Sequence, residues 1–204
     1  MIHLCITKFF IVVQALISYA YCDGIWREDL SNRINIGAPT DGYHRVQLNC
    51  NDNSISVAVV TENDFDGVIY TRGSFYGRSE KCFQEGRFGQ TDYYFDFEFD
   101  ECNVKKKDKN TYTVTLVIQN DKELIMPGDS AFKLVCDFRS REKTLEAGLQ
   151  VTEKRVRAVI SLADADPGGK DLPKHLQHSV TSRNRTAVFT REDIKPKLQR
   201  RDEL

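Results

Sequence analysis

Hydrophobic and polar residues alternate with a period of two through the middle of this chain. Val46, Leu48 and Cys50 fall on one face of an extended segment, and Ile55, Val57 and Val59 on one face of the next, with Ser56 and Ala58 opposite. Phe95, Phe97 and Phe99 alternate with Asp96, Glu98 and Asp100, the pattern of a half-buried strand with an acidic outer face. Tyr112, Val114, Leu116 and Ile118 alternate with Thr111, Thr113 and Thr115, and Phe132, Leu134, Cys136 and Phe138 form the last such face. Turn-forming residues separate these runs at Asn51-Asp52-Asn53, Asp66-Gly67, Lys106 to Asn110 and Pro127-Gly128-Asp129. Short strands at this spacing, with no helical period between them, predict an all-β fold: an Ig-like sandwich of two antiparallel sheets.

The segments on either side differ in character. Met1 to Ala20 carries a positive charge at Lys8, an apolar run from Phe9 to Ile17 and small residues at Ser18 and Ala20. The run is too short to span a bilayer, so residues 1–22 read as a cleavable secretion signal rather than a membrane anchor or a core helix. Cleavage after Ala20 leaves Cys22 as an odd thiol, and cleavage after Cys22 leaves four cysteines. Residues 23–43 are a polar lead-in, and residues 44–138 hold the strong β pattern. Residues 139–204 are more charged, contain Pro167-Gly168-Gly169, Pro173 and Pro196, and are expected to be a linker or tail, partly disordered. Within that tail Val151 to Leu162 has apolar residues with basic ones between, compatible with a strand entering the linker.

The formal net charge of −1 gives no reason to expect a nucleic-acid partner. No second long apolar stretch is present, so no transmembrane segment is expected. Gly-rich phosphate loops, zinc-type cysteine pairs, HExxH and nucleophile-elbow motifs are all missing from the sequence. His175 and His178 lie in a polar, Pro-flanked segment and read as solvated. The row Asp96, Glu98 and Asp100 lacks the looped ligand spacing of a calcium site. Neither a catalytic site, a metal site nor a cofactor is expected, and the chain reads as something other than an enzyme. The acidic row and the lysines Lys105 to Lys107 and Lys109 are candidates for a complementary contact between copies.

A secretion signal places the cysteines where disulfides persist. Four of them, Cys50, Cys82, Cys102 and Cys136, allow three pairings. Cys50 is in phase with Val46 and Leu48, and Cys136 with Phe132 and Leu134, so both point into the core. The favoured pairing joins Cys50 to Cys136, tying the opening strand to the closing one, and Cys82 to Cys102.

The segments VQLNC, DFDGVIYTRGSFYGRSEKC, FDFEFDEC and TYTVTLVIQNDKELIMPGDSAFKLVCDF, taken in order, resemble the N-terminal half of a zona pellucida (ZP) domain. They are most similar to its invertebrate branch, found in cuticlins and insect apical-matrix proteins. Phe65, Gly67, Ile69, Tyr70 and Gly73 ahead of Lys81-Cys82 follow the family's F-x-G-x-[IV]-[YF]-x-x-G…C run. Tyr112 stands at the family's tyrosine, and Cys136-Asp137-Phe138 at the motif closing the module. The resemblance covers about half of the chain, and its nested disulfide pairing agrees with the parity argument. Asn103 departs from the glycine that usually follows the third cysteine. No cysteine follows Cys136, so a second ZP half is not expected in this sequence, which is either a module on its own or a piece of a longer product.

The resemblance implies a secreted structural protein of an apical extracellular matrix or cuticle. Its partners would be ZP-domain proteins, self or other, met through an open strand edge around Tyr112 to Ile118 and Phe132 to Phe138. Two alternatives stand beside it: a soluble module that caps ZP polymers, and a resident of the ER lumen. The second rests on the C-terminal Arg201-Asp202-Glu203-Leu204, which resembles the KDEL retention signal. Asn184-Arg185-Thr186 is an N-glycosylation sequon, expected to be used in a secreted chain.

Overall fold

Each alternating run falls on a strand in the computed structural model, which describes residues 38–62, 65–144, 150–169 and 171–194. The strands are β1 (Tyr43–Cys50), β2 (Ser54–Thr61), β3 (Val68–Thr71), β4 (Phe83–Glu85), β5 (Asp92–Glu98), β6 (Lys105–Asp108), β7 (Thr111–Gln119), β8 (Ser130–Thr144), β9 (Gln150–Ala163), β10 (Ser179–Ser182) and β11 (Thr186–Thr190). They form two sheets. The smaller has the order β11-β1-β2-β5, and the larger β10-β9-β8-β7-β3-β4, with β6 also paired to β7. The pairings are antiparallel.

Parity decides which face of each strand is buried. Val46, Leu48 and Cys50 of β1, Ile55, Val57 and Val59 of β2, and Tyr93, Phe95 and Phe97 of β5 turn inward from the smaller sheet. They meet Ile69, Val114, Leu116, Ile118, Phe132, Leu134 and Ile160 of the larger sheet in one hydrophobic cluster. Phe132 sits at its centre, edge-on to Tyr43 with ring centroids 4.9 Å apart and edge-on to Phe189 at 5.4 Å. Edge-to-face pairs of this kind contribute about 0.5–1.5 kcal/mol beyond the area they bury.

The segment beyond residue 138 departs from the expected linker or tail. β8 runs on to Thr144, β9 returns along it in register from Thr144↔Gln150 to Ala131↔Ala163, and β11 pairs with β1. The physical reason lies in a second, weaker alternation. Val156, Ala158, Ile160 and Leu162 are buried against the core, and so are Ala187 and Phe189. Ala158 and Ala187 are small, and Val159 and Val188 put apolar side chains on the outer positions, so the period of two is diluted in the sequence. The main hydrophobic core therefore extends past the expected module boundary and draws on strands from both segments.

Two connections close the sides of the sandwich. On one, the turn between β10 and β11 carries the chain from the larger sheet to the smaller. On the other, Gln84 Nε2 of β4 donates to the Tyr94 carbonyl of β5 at 2.8 Å. The expected secretion signal (1–22), most of the lead-in (23–43) and the RDEL sequence at Arg201 to Leu204 lie outside the described residues.

Candidate functional site: the stapled strands and the edges they leave open

Cys50 and Cys136 are both fully buried, one on β1 and one on β8. Their bridge links the two sheets through the core, with Cα atoms 5.6 Å apart, inside the range a disulfide accepts. Cys82 and Cys102 form the second bridge, with Cα atoms 5.2 Å apart. It ties the start of β4 to the turn after β5. In the chain-entropy model a loop of 86 residues is worth about 4.5 kcal/mol and one of 20 about 3.

The turn at Cys102 explains the departure at Asn103. Cys102 and Asn103 have φ of 50° and 60°, the left-handed region where glycine is easiest and asparagine the best-tolerated substitute. Asn103 also donates from Nδ2 to Ser74 Oγ at 2.9 Å, so its side chain holds the neighbouring loop. Gly73, at φ 93°, lies directly against it: a Cβ there would stand 3.1 Å from Asn103 Nδ2.

The other landmark residues also have physical roles. Gly67 passes so close to β7 that a Cβ would lie 1.9 Å from the Gln119 carbonyl oxygen, and its own carbonyl accepts from Gly86 N at 2.7 Å. Tyr70 is buried, and its hydroxyl donates to Gln119 Oε1 at 2.9 Å. Burial holds this phenol neutral and pushes its pKa up to about 12. Phe65 meets Tyr93 edge-on at 5.8 Å.

Tyr112, Phe99 and Phe138 form an aromatic group at the end of the sandwich. Phe99 stacks on Tyr112 at 3.7 Å, and Phe138 meets Phe99 edge-on at 5.9 Å. Asp137 faces away from the core yet is buried by its partners: Arg139 Nε at 2.7 Å and Arg157 Nη2 at 2.8 Å cover its Oδ2. Arg157 comes from β9, so this landmark of the stapled module is completed by a residue outside it.

The structure changes the expected interaction edge. β7 is bordered by β8 on one side and by β3 and β6 on the other, and β8 is bordered by β7 and β9. Neither run, Tyr112 to Ile118 or Phe132 to Phe138, is open, because β9 supplies the backbone partners that β8 would otherwise lack. The lysines at 105–107 also differ from expectation: with Asp108 they form β6, a strand on β7, and not a turn. The register Lys105↔Thr113 and Lys106↔Tyr112 gives this charged run its backbone partners, and Lys106 Nζ stands 5.8 Å from the Tyr112 ring centroid.

Open edges are found elsewhere. Among the described residues β4, β5, β6, β10 and β11 each pair with one other strand, and two of these, β5 on β2 and β6 on β7, stand out by their charge. The two carry opposite charge. β5 exposes Asp92, Asp96 and Glu98, whereas β6 is KKKD and exposed throughout. Ser56 Oγ donates to Asp96 Oδ1 at 2.8 Å, which fixes that carboxylate on the outer face.

The remaining candidates are dispersed. His175 is exposed and His178 half-buried. Among the described residues no group of three or more potential metal ligands converges, and no helix is long and apolar enough to cross a membrane. Asn184 is exposed in the β10–β11 turn, where its backbone N–H donates to Ser182 Oγ at 3.2 Å. The sequon's Thr186 donates to Asn49 Oδ1 at 3.0 Å.

Comparison with known proteins agrees with the module seen here. Residues 45–138 match the family model of the cuticlin N-terminal domain. The chain is 27% identical over 112 residues to cuticlin-3 of Caenorhabditis elegans, covering 52% of this chain and 28% of that protein. It is 26% identical over 112 residues to cuticlin-1 of the same organism, covering 52% of this chain and 26% of that protein. The chain thus spans about a quarter of the length of these relatives. No solved structure matches it. Residues 45–138, which carry both disulfides, thus match a cuticlin N-terminal domain, the N-terminal part of a ZP domain.

Proposed function

We propose that the protein is a secreted structural component of an apical extracellular matrix or cuticle, and that it associates with copies of itself or other ZP-domain proteins through strand edges. The observation that carries this reading is the pair of open edges of opposite charge, acidic β5 and basic β6, on a scaffold held by two disulfides. An open edge offers unpaired backbone N–H and C=O groups to another strand. Like charges keep β5 from pairing with β5, and β6 with β6, while β5 of one copy suits β6 of the next. Such a contact is heterologous, so repetition extends a chain of subunits instead of closing a dimer. The rigid scaffold loses little conformational entropy on assembly. A secreted location suits the two bridges, and there the exposed sequon at Asn184 would be open to glycosylation.

Light scattering at low salt tests this. The purified chain is expected to form assemblies that dissolve as salt screens the charges, and the double reversal Asp96→Lys with Glu98→Lys should leave it monomeric. Assembly that is unchanged by the reversal would refute the β5–β6 contact. A second reading, that the chain caps polymers, is favoured by β9 filling the outer edge of β8. Added to an assembling full-length cuticlin, a cap shortens the filaments and a subunit enters them.

A further inference from the structure

The outer face of the larger sheet carries a cleft of about 700 Å³ that borders the proposed assembly edge only at Lys105 of β6. Its floor is a row of cross-strand neighbours, Thr115↔Lys133↔Ser161↔Ser179, running over β7, β8, β9 and β10. Lys105 of β6 closes one side next to Thr113. The connection between β9 and β10 closes the other, bringing His178 and Asp171 to the rim. Arg72 stands at the end of the row, its backbone N–H bonded to the Thr115 carbonyl at 2.8 Å.

The chemistry of this lining is one-sided. Lys105 and Lys133 have no carboxylate partner among the described residues, and Asp171 is the one acid facing three permanent cations. Arg72 is held in place without being neutralised. Its Nη2 donates to the Asp164 carbonyl, and its Nε is buried with no hydrogen-bond partner in the protein. Gly169 makes room for that guanidinium: a Cβ there would lie 2.8 Å from Arg72 Nη1. Between the cations the floor offers the hydroxyls of Thr113, Thr115, Ser161 and Ser179. Among the described residues no Phe, Tyr or Trp lines the cleft, so the flat apolar faces of a neutral sugar lack their usual stacking platform.

We propose that this cleft binds an acidic oligosaccharide, whose sulfate or carboxylate groups pair with Lys105, Lys133 and Arg72 and whose hydroxyls bond to the Thr and Ser row. The volume lies in the range of sites that enclose small ligands. Alternating anionic and hydroxyl groups on a sugar chain match alternating cations and hydroxyls on the floor. An acidic peptide would present the anions but not the hydroxyls. Binding of this kind occurs on the outer face of one copy and needs no second copy, although Lys105 belongs both to the cleft and to the β6 edge.

Calorimetry on the intact, disulfide-bonded chain tests the proposal, using three tetrasaccharides: a sulfated heparin fragment, a hyaluronan fragment and chitotetraose. A tetraglutamate peptide is titrated alongside. One anionic sugar is expected to bind at one per chain, with chitotetraose silent, and whichever of the two binds tighter identifies sulfate or carboxylate as the recognised group. Lys133→Glu should weaken that binding by about tenfold or more. Arg87→Glu, the same charge change on an exposed turn outside the cleft, should leave it within about twofold. Lys133→Gln, which keeps a similar shape, should fall between. No heat with either anionic sugar, equal losses in Lys133→Glu and Arg87→Glu, or equal affinity for tetraglutamate would each overturn the proposal. The Asp96→Lys, Glu98→Lys chain serves as the monomeric reference, so failure of assembly and failure of binding are read separately.

Discussion

Gly67 and Gln119 stand closer than any side chain between them would allow, since a Cβ on Gly67 would lie 1.9 Å from the Gln119 carbonyl oxygen. The backbone of the loop entering β3 packs directly onto β7 there, and Gly86 hydrogen-bonds to Gly67 from the other side. Gly67→Ala therefore has to displace the backbone of Gln119 and Asn120. Its expected cost is about 3 kcal/mol, at the upper end for an overpacked position. Gly89→Ala is the control: its φ is 79° but nothing lies within 4 Å of the added methyl, so it bears only the left-handed strain of about 1–2 kcal/mol. Urea midpoints of the two variants should differ in that order.

The two bridges should differ in what their removal does. Replacing Cys50 and Cys136 together by alanine opens a loop of 86 residues and leaves a gap at two fully buried positions, for an expected loss of about 4–5 kcal/mol. Replacing Cys82 and Cys102 opens a loop of 20 near the surface, with an expected loss of about 3 kcal/mol. Thermal unfolding of both double variants checks the order. An inner-bridge variant less stable than the outer one would show that the left-handed turn at Cys102 and Asn103 depends on the bridge more than loop closure does.

Much of this was legible in the chain itself, and the reasons are local. A strand that buries one face and wets the other writes its burial as alternation, so Phe95, Phe97 and Phe99 with their acidic neighbours are read at sight. The same parity turns Cys50 and Cys136 toward one core. β6 carried no such signal, because Lys105 to Asp108 bury nothing; it is a strand only because β7 offers backbone partners. β9 showed only faintly, as the apolar residues with basic ones between from Val151 to Leu162, and β11 was hidden, because Ala158 and Ala187 are buried but too small to mark a face. Once β9 is in place the edge of β8 is filled, and β5 and β6 are among the strands that remain at an edge. The cleft under Lys133 was beyond reach, since it depends on Arg72, Lys105 and His178 converging from distant parts of the chain.

Asp137 shows how the segment after the stapled module supports it. Its side chain is 4% exposed, with Arg139 and Arg157 both on Oδ2. Asp137→Ala removes the shared partner and leaves two guanidinium groups crowded together, an expected loss of about 3 kcal/mol. Arg139→Ala should cost about 1 kcal/mol or less, because that side chain is 69% exposed and Arg157 still pairs with Asp137. A double-mutant cycle between positions 137 and 157 should return a coupling of more than about 1 kcal/mol. Additive losses would mean that β9 holds β8 by its backbone alone.

Alkaline titration reaches two tyrosines in the core. Burial raises the pKa of Tyr43 and of Tyr70 from 10.0 to about 12 in each case. Below pH 10 both phenols are neutral in the folded and the unfolded chain, and the shift costs nothing. Between pH 10 and 12 the unfolded chain has released these protons and the folded chain still holds them, so unfolding is favoured and stability falls as pH rises. The folded protein should therefore show two late steps in the phenolate absorbance at 295 nm, near the point of alkaline unfolding. Tyr43→Phe removes one of those steps and part of the loss of stability above pH 10, since its hydroxyl makes only a 3.4 Å contact with the Pro39 carbonyl. Tyr70→Phe also removes one step, but it leaves Gln119 Oε1 without the donor it now has at 2.9 Å, so it should lower stability at neutral pH by about 1–2 kcal/mol as well. Normal titration of either residue in the folded chain, near pH 10, would show that water reaches the phenol and that the edge-on packing of Tyr43 on Phe132 opens readily.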